Sequence, residues 1–543
     1  MPRSAPRPFL LAVLVLSLGG ACRREPAGAP PERYLSPRVE FAVVVPELSR
    51  AARELSALRQ TATAIPGLEE RLAAIRPALV GQLGLDPLDP ESLAGAGLDP
   101  ARGAALGFEP SGEGRPGTPV LALPVGDAGR LLALVTRMAR ERLGATERST
   151  LSLGGVRVVT FRVAGRGEPA LSLAFLDGAR VAALAPGPGG AKAAGAALSR
   201  RPADSLSEEP AWRGLRATMA TRYAIVAGAV PPSSVLPGPA SSGLAVGVSA
   251  APGALRIGVA TRLPPSNGAR GPGSRGEADA AIRALSPRSA LVVAWNADPS
   301  ALGARVVSGL AAHDREWLAA HGFDLERDVF DVLAPGAAAS LSLSPRLDLA
   351  GFSPEAVRAD PLRAIRFELV SPVRDEATAA RTLARLPALV AALAGADPPA
   401  PPHVDPSGRT GRIALPSGEI AWRLEGRRLS MAGGEPGMLA ALSEPSRSTG
   451  YAAPTPAAAA ALKAPLGGAV LDPRALAESV RALPEDAFGA GPSGFLIRSI
   501  VERLLEPAER VSAVSLRAEP AERATFSELL LEVSQTGASE AGR

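Results

Sequence analysis

Two near-continuous apolar runs, residues 39–45 and 289–295, read as buried strands. The same four residues precede each: Leu35-Ser36-Pro37-Arg38 and Leu285-Ser286-Pro287-Arg288, 250 positions apart. Behind the first run, Pro46 ends the strand, and Leu48, Ala51, Ala52, Leu55 and Leu58 recur at helical spacing. A second helical stretch follows over Leu68–Leu83, then a loop punctuated by Pro87, Pro90 and Pro100. Behind the second run, Asp298 and Pro299 predict the N-cap and first-turn proline of an equivalent helix. Gly97-Leu98-Asp99-Pro100 finds its expected counterpart in Gly322-Phe323-Asp324-Leu325.

The periods then stay in step. Residues 120–125 predict a strand, Asp127 caps a helix carrying Leu131, Val135 and Met138, and Gly144 ends it. Residues 368–373, Asp375, a helix with Leu383, Leu386, Val390 and Leu393, and Gly395 repeat that order. Pro124, Val125 and Asp127 correspond to Pro372, Val373 and Asp375, each 248 positions on. Pro387 predicts a kink that the first helix lacks. Hairpins come next. Residues 171–176 and 180–184 flank Asp177-Gly178, and residues 419–424 and 428–431 flank Glu425-Gly426. Residues 223–230 match 467–471, and each half closes on a strand pair, 244–249 with 255–260 and 511–517 with 529–533.

Shared order and element type predict an α+β protein: two tandem related copies of mainly antiparallel sheet with packed helices, behind a signal peptide and flexible tether. The expected divisions are a signal peptide (1–21), a lipidated cysteine and tether (22–34), a first copy (35–263), a linker (264–285), a second copy (286–536) and a disordered tail (537–543). Within that linker, residues 277–284 are expected to form a short helix leading into the second copy. The repeated Leu-Ser-Pro-Arg, strand, helix and hairpin order resembles a family of bacterial secreted proteins known under a domain-of-unknown-function label. The resemblance covers about residues 35–535. It implies a cell-envelope location and supplies no functional residues.

Arg3 and Arg7 precede an apolar run over residues 9–18, which is followed by Gly19, Gly20, Ala21 and Cys22. This is the layout of an export signal, and the run is shorter than the ~20 residues a spanning helix needs. Cys22 is the only cysteine among 543 residues. The stretch resembles a bacterial lipobox, although Leu18 stands one place before the usual leucine position and Gly19 occupies it. By that resemblance Cys22 carries a lipid, and Arg23 behind it points to the outer membrane, facing the periplasm or surface. The competing reading is an ordinary signal cut after Ala21. Residues 23–33, rich in Pro, Gly and Ala without apolar period, read as the tether.

Charge changes the picture little. There are 59 Lys and Arg against 54 Asp and Glu, and the only lysines are Lys192 and Lys463. No basic run forms a patch, so nucleic acid is not an expected partner. Aromatics make up 3% of the chain, which disfavours sugar and base platforms.

Candidate chemistry is sparse. His313, His321 and His403 are the only histidines. The first two flank Trp317 eight residues apart, whereas zinc-binding helices space their ligands by about four. Residues 324–331 carry Asp324, Glu326, Asp328 and Asp331 but lack a calcium loop's glycine and closing glutamate. Gly187, Gly189, Gly190 and Lys192 stand where a phosphate loop would, but match neither phosphate-loop pattern. Gly433, Gly434, Glu435 and Gly437 repeat the turn with a carboxylate that would repel phosphate. No serine-nucleophile elbow occurs, since Pro272 stands where its first glycine must be. Trp212, Trp295, Trp317 and Trp422 lie scattered in periodic segments and read as core. The expectation is a lipid-anchored envelope protein with a non-catalytic binding or structural role, using no cofactor or metal. Its expected partners are the membrane, through Cys22, and an envelope protein or apolar ligand. Two alternatives stand beside it: a carrier or chaperone for an apolar ligand, and an enzyme working through carboxylates alone.

Overall fold

The computed structural model describes residues 29–534, apart from 63–67, 110–116, 177–179, 230–242, 263–274, 301–302, 304–306, 308, 395–399, 444–449 and 522–523. The fold is α+β, with antiparallel strand pairing throughout the described ladders. The chain divides into two compact units, residues 1–266 with Pro520–Glu528, and residues 267–519 with 529–543.

In the first unit the strands are β1 (Ala42–Val45), β2 (Ala104–Glu109), β3 (Thr118–Pro124), β4 (Ala145–Leu153), β5 (Val156–Val163), β6 (Pro169–Leu176), β7 (Val181–Pro186), β8 (Ile225–Ala229), β9 (Gly243–Ala251) and β10 (Ala254–Arg262). Their order across the sheet is β4-β5-β6-β7-β3-β2-β1-β8-β9-β10. Both faces are covered, which is why β1 reads as an unbroken apolar run. One face packs Val43, Leu106 and Leu121 against α1 (Leu48–Ala62) and α2 (Ala128–Leu143). On the other lie α3 (Gly190–Ser199) and α4 (Pro210–Met219), the latter through Trp212, Leu215 and Met219. Phe526, from near the C-terminus, lies in that same core.

The second unit holds β11 (Leu291–Trp295), β12 (Ala337–Leu343), β13 (Ile365–Pro372), β14 (His403–Val404), β15 (Thr410–Leu415), β16 (Gly418–Glu425), β17 (Arg428–Gly434), β18 (Gly467–Leu471) and β19 (Val511–Ala521). Their order is β14-β15-β16-β17-β13-β12-β11-β18-β19. Ten subtracted from each label reproduces the first unit through β9. Its helices include α5 (Arg275–Ala284), α6 (Glu376–Ala394), α7 (Met438–Ser443), α8 (Pro456–Leu462), α9 (Pro473–Arg481) and α10 (Gly491–Arg510). The helices α2 and α6 start alike: Asp127 accepts from Gly129 and Arg130 N–H, and Asp375 from Thr378 N–H at 2.7 Å. Gly144, at φ 67°, closes α2, whereas α6 runs on through Pro387.

Several sequence expectations need correcting. The stretch 264–285 is not simply a linker: α5 belongs to the second unit, where Ala281, Ile282 and Leu285 enter the core. The tether does not extend to residue 34. Pro31–Tyr34 form a 3-10 turn, and Glu32 is fully buried against Arg216. The second copy is not self-contained, because Pro520–Glu528, the end of β19 and start of the last strand β20 (Ala524–Val533), belongs to the first unit. Tyr223 donates there to Glu528.

The counterpart of Leu98 is not Phe323 either. Leu98 bridges Val125 as Leu333 bridges Val373. Register then makes β2 and β12 equivalent at an offset of 233, since Ala105 faces Ala122 as Ala338 faces Val370. Shorter chain between β11 and β12 hides that match from any constant-offset reading.

Candidate functional site

The repeated Leu-Ser-Pro-Arg turn is held by the same backbone contacts in both units. Leu35 and Leu285 are fully buried. The Leu35 carbonyl accepts from Leu206 N–H at 2.9 Å, and the Leu285 carbonyl from Tyr451 N–H at 3.1 Å. Each serine amide donates to a carboxylate, Ser36 to Glu109 at 2.8 Å and Ser286 to Glu368 at 2.6 Å.

The carboxylates come from different strands. In the first unit Glu109 ends β2 opposite Thr118, and it forms a two-pronged pair with Arg200. Only 12% of either side chain is exposed. In the second unit the position of Glu109 holds Ser342, opposite Arg366. The carboxylate is instead Glu368, on the position of Val120, and it also accepts from Ser340 at 3.1 Å. Ser340 in turn stands where the first unit has Gly107, packed under Leu35 and Val39. Where the first unit has a buried ion pair and an apolar contact, the second has two serine hydroxyls and a carboxylate on the neighbouring strand.

The consequence is space. Beside Ser286, Pro287 and Arg288 a cleft of about 830 Å³ opens between the turn, β12, β13 and α9. Arg288, Arg366 and Arg474 reach it from three separate elements. Arg366 pairs with Glu435, and Arg474 with the Glu509 carbonyl and Ser534. Asp472 caps α9, accepting from Arg474 and Ala475 N–H at 2.9 and 3.0 Å. The first unit has smaller cavities, about 280 Å³ beside Pro31, Arg102 and Arg216, and about 400 Å³ along α2 beside Gly129, Arg137 and Arg148.

Other sequence candidates fall elsewhere. Cys22 lies outside the described residues. His321 stacks on Trp317 at 4.3 Å between ring centres and its Nδ1 contacts the Trp317 carbonyl, while His313 lies beside Asp314. Asp324 accepts from Glu326 and Arg327 N–H, and Asp328 is held by Arg327 and Arg385, so these carboxylates serve the turn. Burial pushes the Asp328 carboxyl up, but hydrogen bonds and the two arginines hold it below its ordinary range. Gly187, at φ 80°, makes the strand-to-helix turn into α3, and a Cβ on Gly190 would meet the Ala185 carbonyl. Glu435 in the equivalent turn is taken up by Arg366. Among the described residues, no three His, Cys, Asp or Glu side chains gather as a metal site, and no helix is long and apolar enough to cross a membrane.

No family model matches the chain, and neither does any curated protein. Solved structures of TP0453 in crystal forms III and I match 44% and 45% of this chain and 82% of that one, at 8% and 9% identity. Their TM-scores are 0.23 and 0.22, too low to carry an argument.

Sequence reasoning missed the cleft. Its polar residues come from six separate segments, and the position where Glu109 stands in one unit and Ser342 in the other lies where the offset between the halves changes.

Proposed function

We propose that this chain is a lipid-anchored cell-envelope protein with a non-catalytic binding role, built by duplication of an α+β unit, in which the second unit supplies the binding cleft. One observation carries the reading: two units with one strand order keep the same Leu-Ser-Pro-Arg anchor, yet only the second replaces a buried ion pair there with a ligand-sized space. The Leu-Ser-Pro-Arg turn repeated at a 250-residue offset and the agreement of strand order support duplication. The anchor rests on Cys22 and the signal-like residues before it. The wall combines arginines, serines and carboxylates with Leu343, Phe367 and Met438, which suits a ligand carrying a charged group better than the wholly apolar one a carrier would hold.

Native mass spectrometry of the protein extracted from its own membranes tests both halves of this reading. A diacylglyceryl mass on Cys22 and a co-purifying polar small molecule are the expected result. An unmodified Cys22 overturns the anchor. A chain that never retains or binds a small molecule overturns the cleft's role.

A further inference from the structure

We infer that the cleft beside Ser286-Pro287-Arg288 binds an anionic, oxygen-rich group of the phosphate class. This rests on reading the cleft as a binding site and adds the chemistry of what it takes. Six charged side chains line it: Arg288, Arg366, Glu368, Asp472, Arg474 and Glu478. Their formal charges cancel, so the decision falls to which of them still have hydrogen bonds to give.

The carboxylates are largely spent. Glu368 is buried and takes the Ser286 amide and the Ser340 hydroxyl, and Asp472 takes two amides at the start of α9. Glu478 alone is exposed without such duties. The arginines are not spent. Each guanidinium has five N–H donors in a planar fork. Among the described residues no ion-pair or hydrogen-bond partner is seen for the Arg288 side chain. Arg366 meets only one oxygen of Glu435, and Arg474 keeps Nη1 free while Nε and Nη2 are used. The hydroxyl of Ser342, at the foot of the cleft opposite Arg366, adds another donor. A site with surplus donors converging from three elements calls for a ligand with surplus acceptors and negative charge. Phosphate oxygens match the guanidinium fork. At about 830 Å³ the cleft accommodates more than a bare ion, so the phosphate belongs to a small ester or to a lipid headgroup.

Calorimetric titration of the full chain with inorganic phosphate and with glycerol 3-phosphate, beside flotation with phosphatidylglycerol or phosphatidylcholine vesicles, tests this. Saturable binding of the soluble probes assigns a free ester, and binding to phosphatidylglycerol vesicles alone assigns a headgroup. Either supports the inference if Arg288→Gln weakens it by about tenfold. Arg288 is exposed, so that variant keeps its fold. Glu435→Gln frees Arg366 and removes a competing carboxylate, so binding tightens by about threefold. A merely structural Arg366–Glu435 pair predicts no tightening, and that result counts against the inference. Absence of binding in every arm, or binding that Arg288→Gln leaves unchanged, overturns it. Choline, run in parallel, separates the two levels: choline binding lost in Glu478→Gln, with no phosphate binding, leaves the cleft a binding site and the phosphate class wrong.

Discussion

The corner at Leu35-Ser36-Pro37-Arg38 is closed, and the corner at Leu285-Ser286-Pro287-Arg288 is open. Backbone anchoring is common to both, so what differs is the chemistry of two cross-strand pairs. Gly107–Val120 and Glu109–Thr118 in the first unit become Ser340–Glu368 and Ser342–Arg366 in the second. In the first, the glycine lets Leu35 and Val39 pack down onto the sheet, and Glu109 is locked by Arg200. In the second the carboxylate stands on the neighbouring strand, and a serine holds the position of the glutamate. One strand order can therefore carry a closed corner or a cleft, depending on which strand of the ladder bears the carboxylate.

The largest effect expected concerns what the corners share. Leu35→Ala and Leu285→Ala each remove a fully buried side chain, at a cost of about 2–5 kcal/mol. Denaturant unfolding followed through Trp212 in the first unit and Trp422 in the second measures both. A loss under about 1 kcal/mol at either leucine would show that the turn is not the anchor described here.

Next comes the difference itself. Arg200→Gln strands the buried Glu109 and should cost about 3–5 kcal/mol. Arg366→Gln breaks a pair about one-third exposed and should cost no more than about 1 kcal/mol. The reverse ranking in the same unfolding experiment would mean that the first corner is not the closed one.

A smaller effect is set by pH. Burial pushes the Glu32 carboxyl above its ordinary range, and Arg216 and Trp212 pull it back only in part. Its folded pKa is thus raised. Its favourable contribution is complete below the unfolded value of 4.5 and is lost as pH rises through the folded value. Hydrogen exchange of the Arg33 and Leu35 amides, bonded to the Pro30 and Glu32 carbonyls, should show protection falling over that window. In Glu32→Gln the pH dependence should vanish; if it persists, another group is responsible.

The smallest effect should be equal in the two units. A backbone hydrogen bond from Arg130 holds the Asp127 carboxyl low, and the Thr378 hydroxyl does the same for Asp375. Both caps stabilise above the ordinary carboxylate range and lose that contribution as pH falls through the lowered values. Asp127→Asn and Asp375→Asn should therefore flatten the acid limb of stability alike, seen by circular dichroism during acid titration. Unequal flattening would argue that α2 and α6 are not equivalent.

The sequence by itself determined the local elements and much of their order. Asp127 and Asp375 announce their helices through capping, Glu425-Gly426 announces its hairpin, and residues 39–45 announce a strand buried on both faces. Residues 289–295 announce a strand too, but β11 is fully buried only at alternate residues, Val292 and Ala294. These signals are local, because hydrogen bonds within a few residues and a repeating apolar face produce them. Where the two halves keep a constant offset, their correspondence was also legible. It fails between β11 and β12, where shorter chain places Leu333, 235 positions after Leu98, in the equivalent bridge, whereas the local pattern points to Phe323. Only the tertiary structure decided that Glu32 is core, that Phe526 completes the first unit, and that a cleft exists beside Arg288. Each depends on partners far apart in the chain, Glu32 with Arg216 and Glu368 with Ser286. A buried charge or a cavity is a property of what surrounds a residue, and no local period records it.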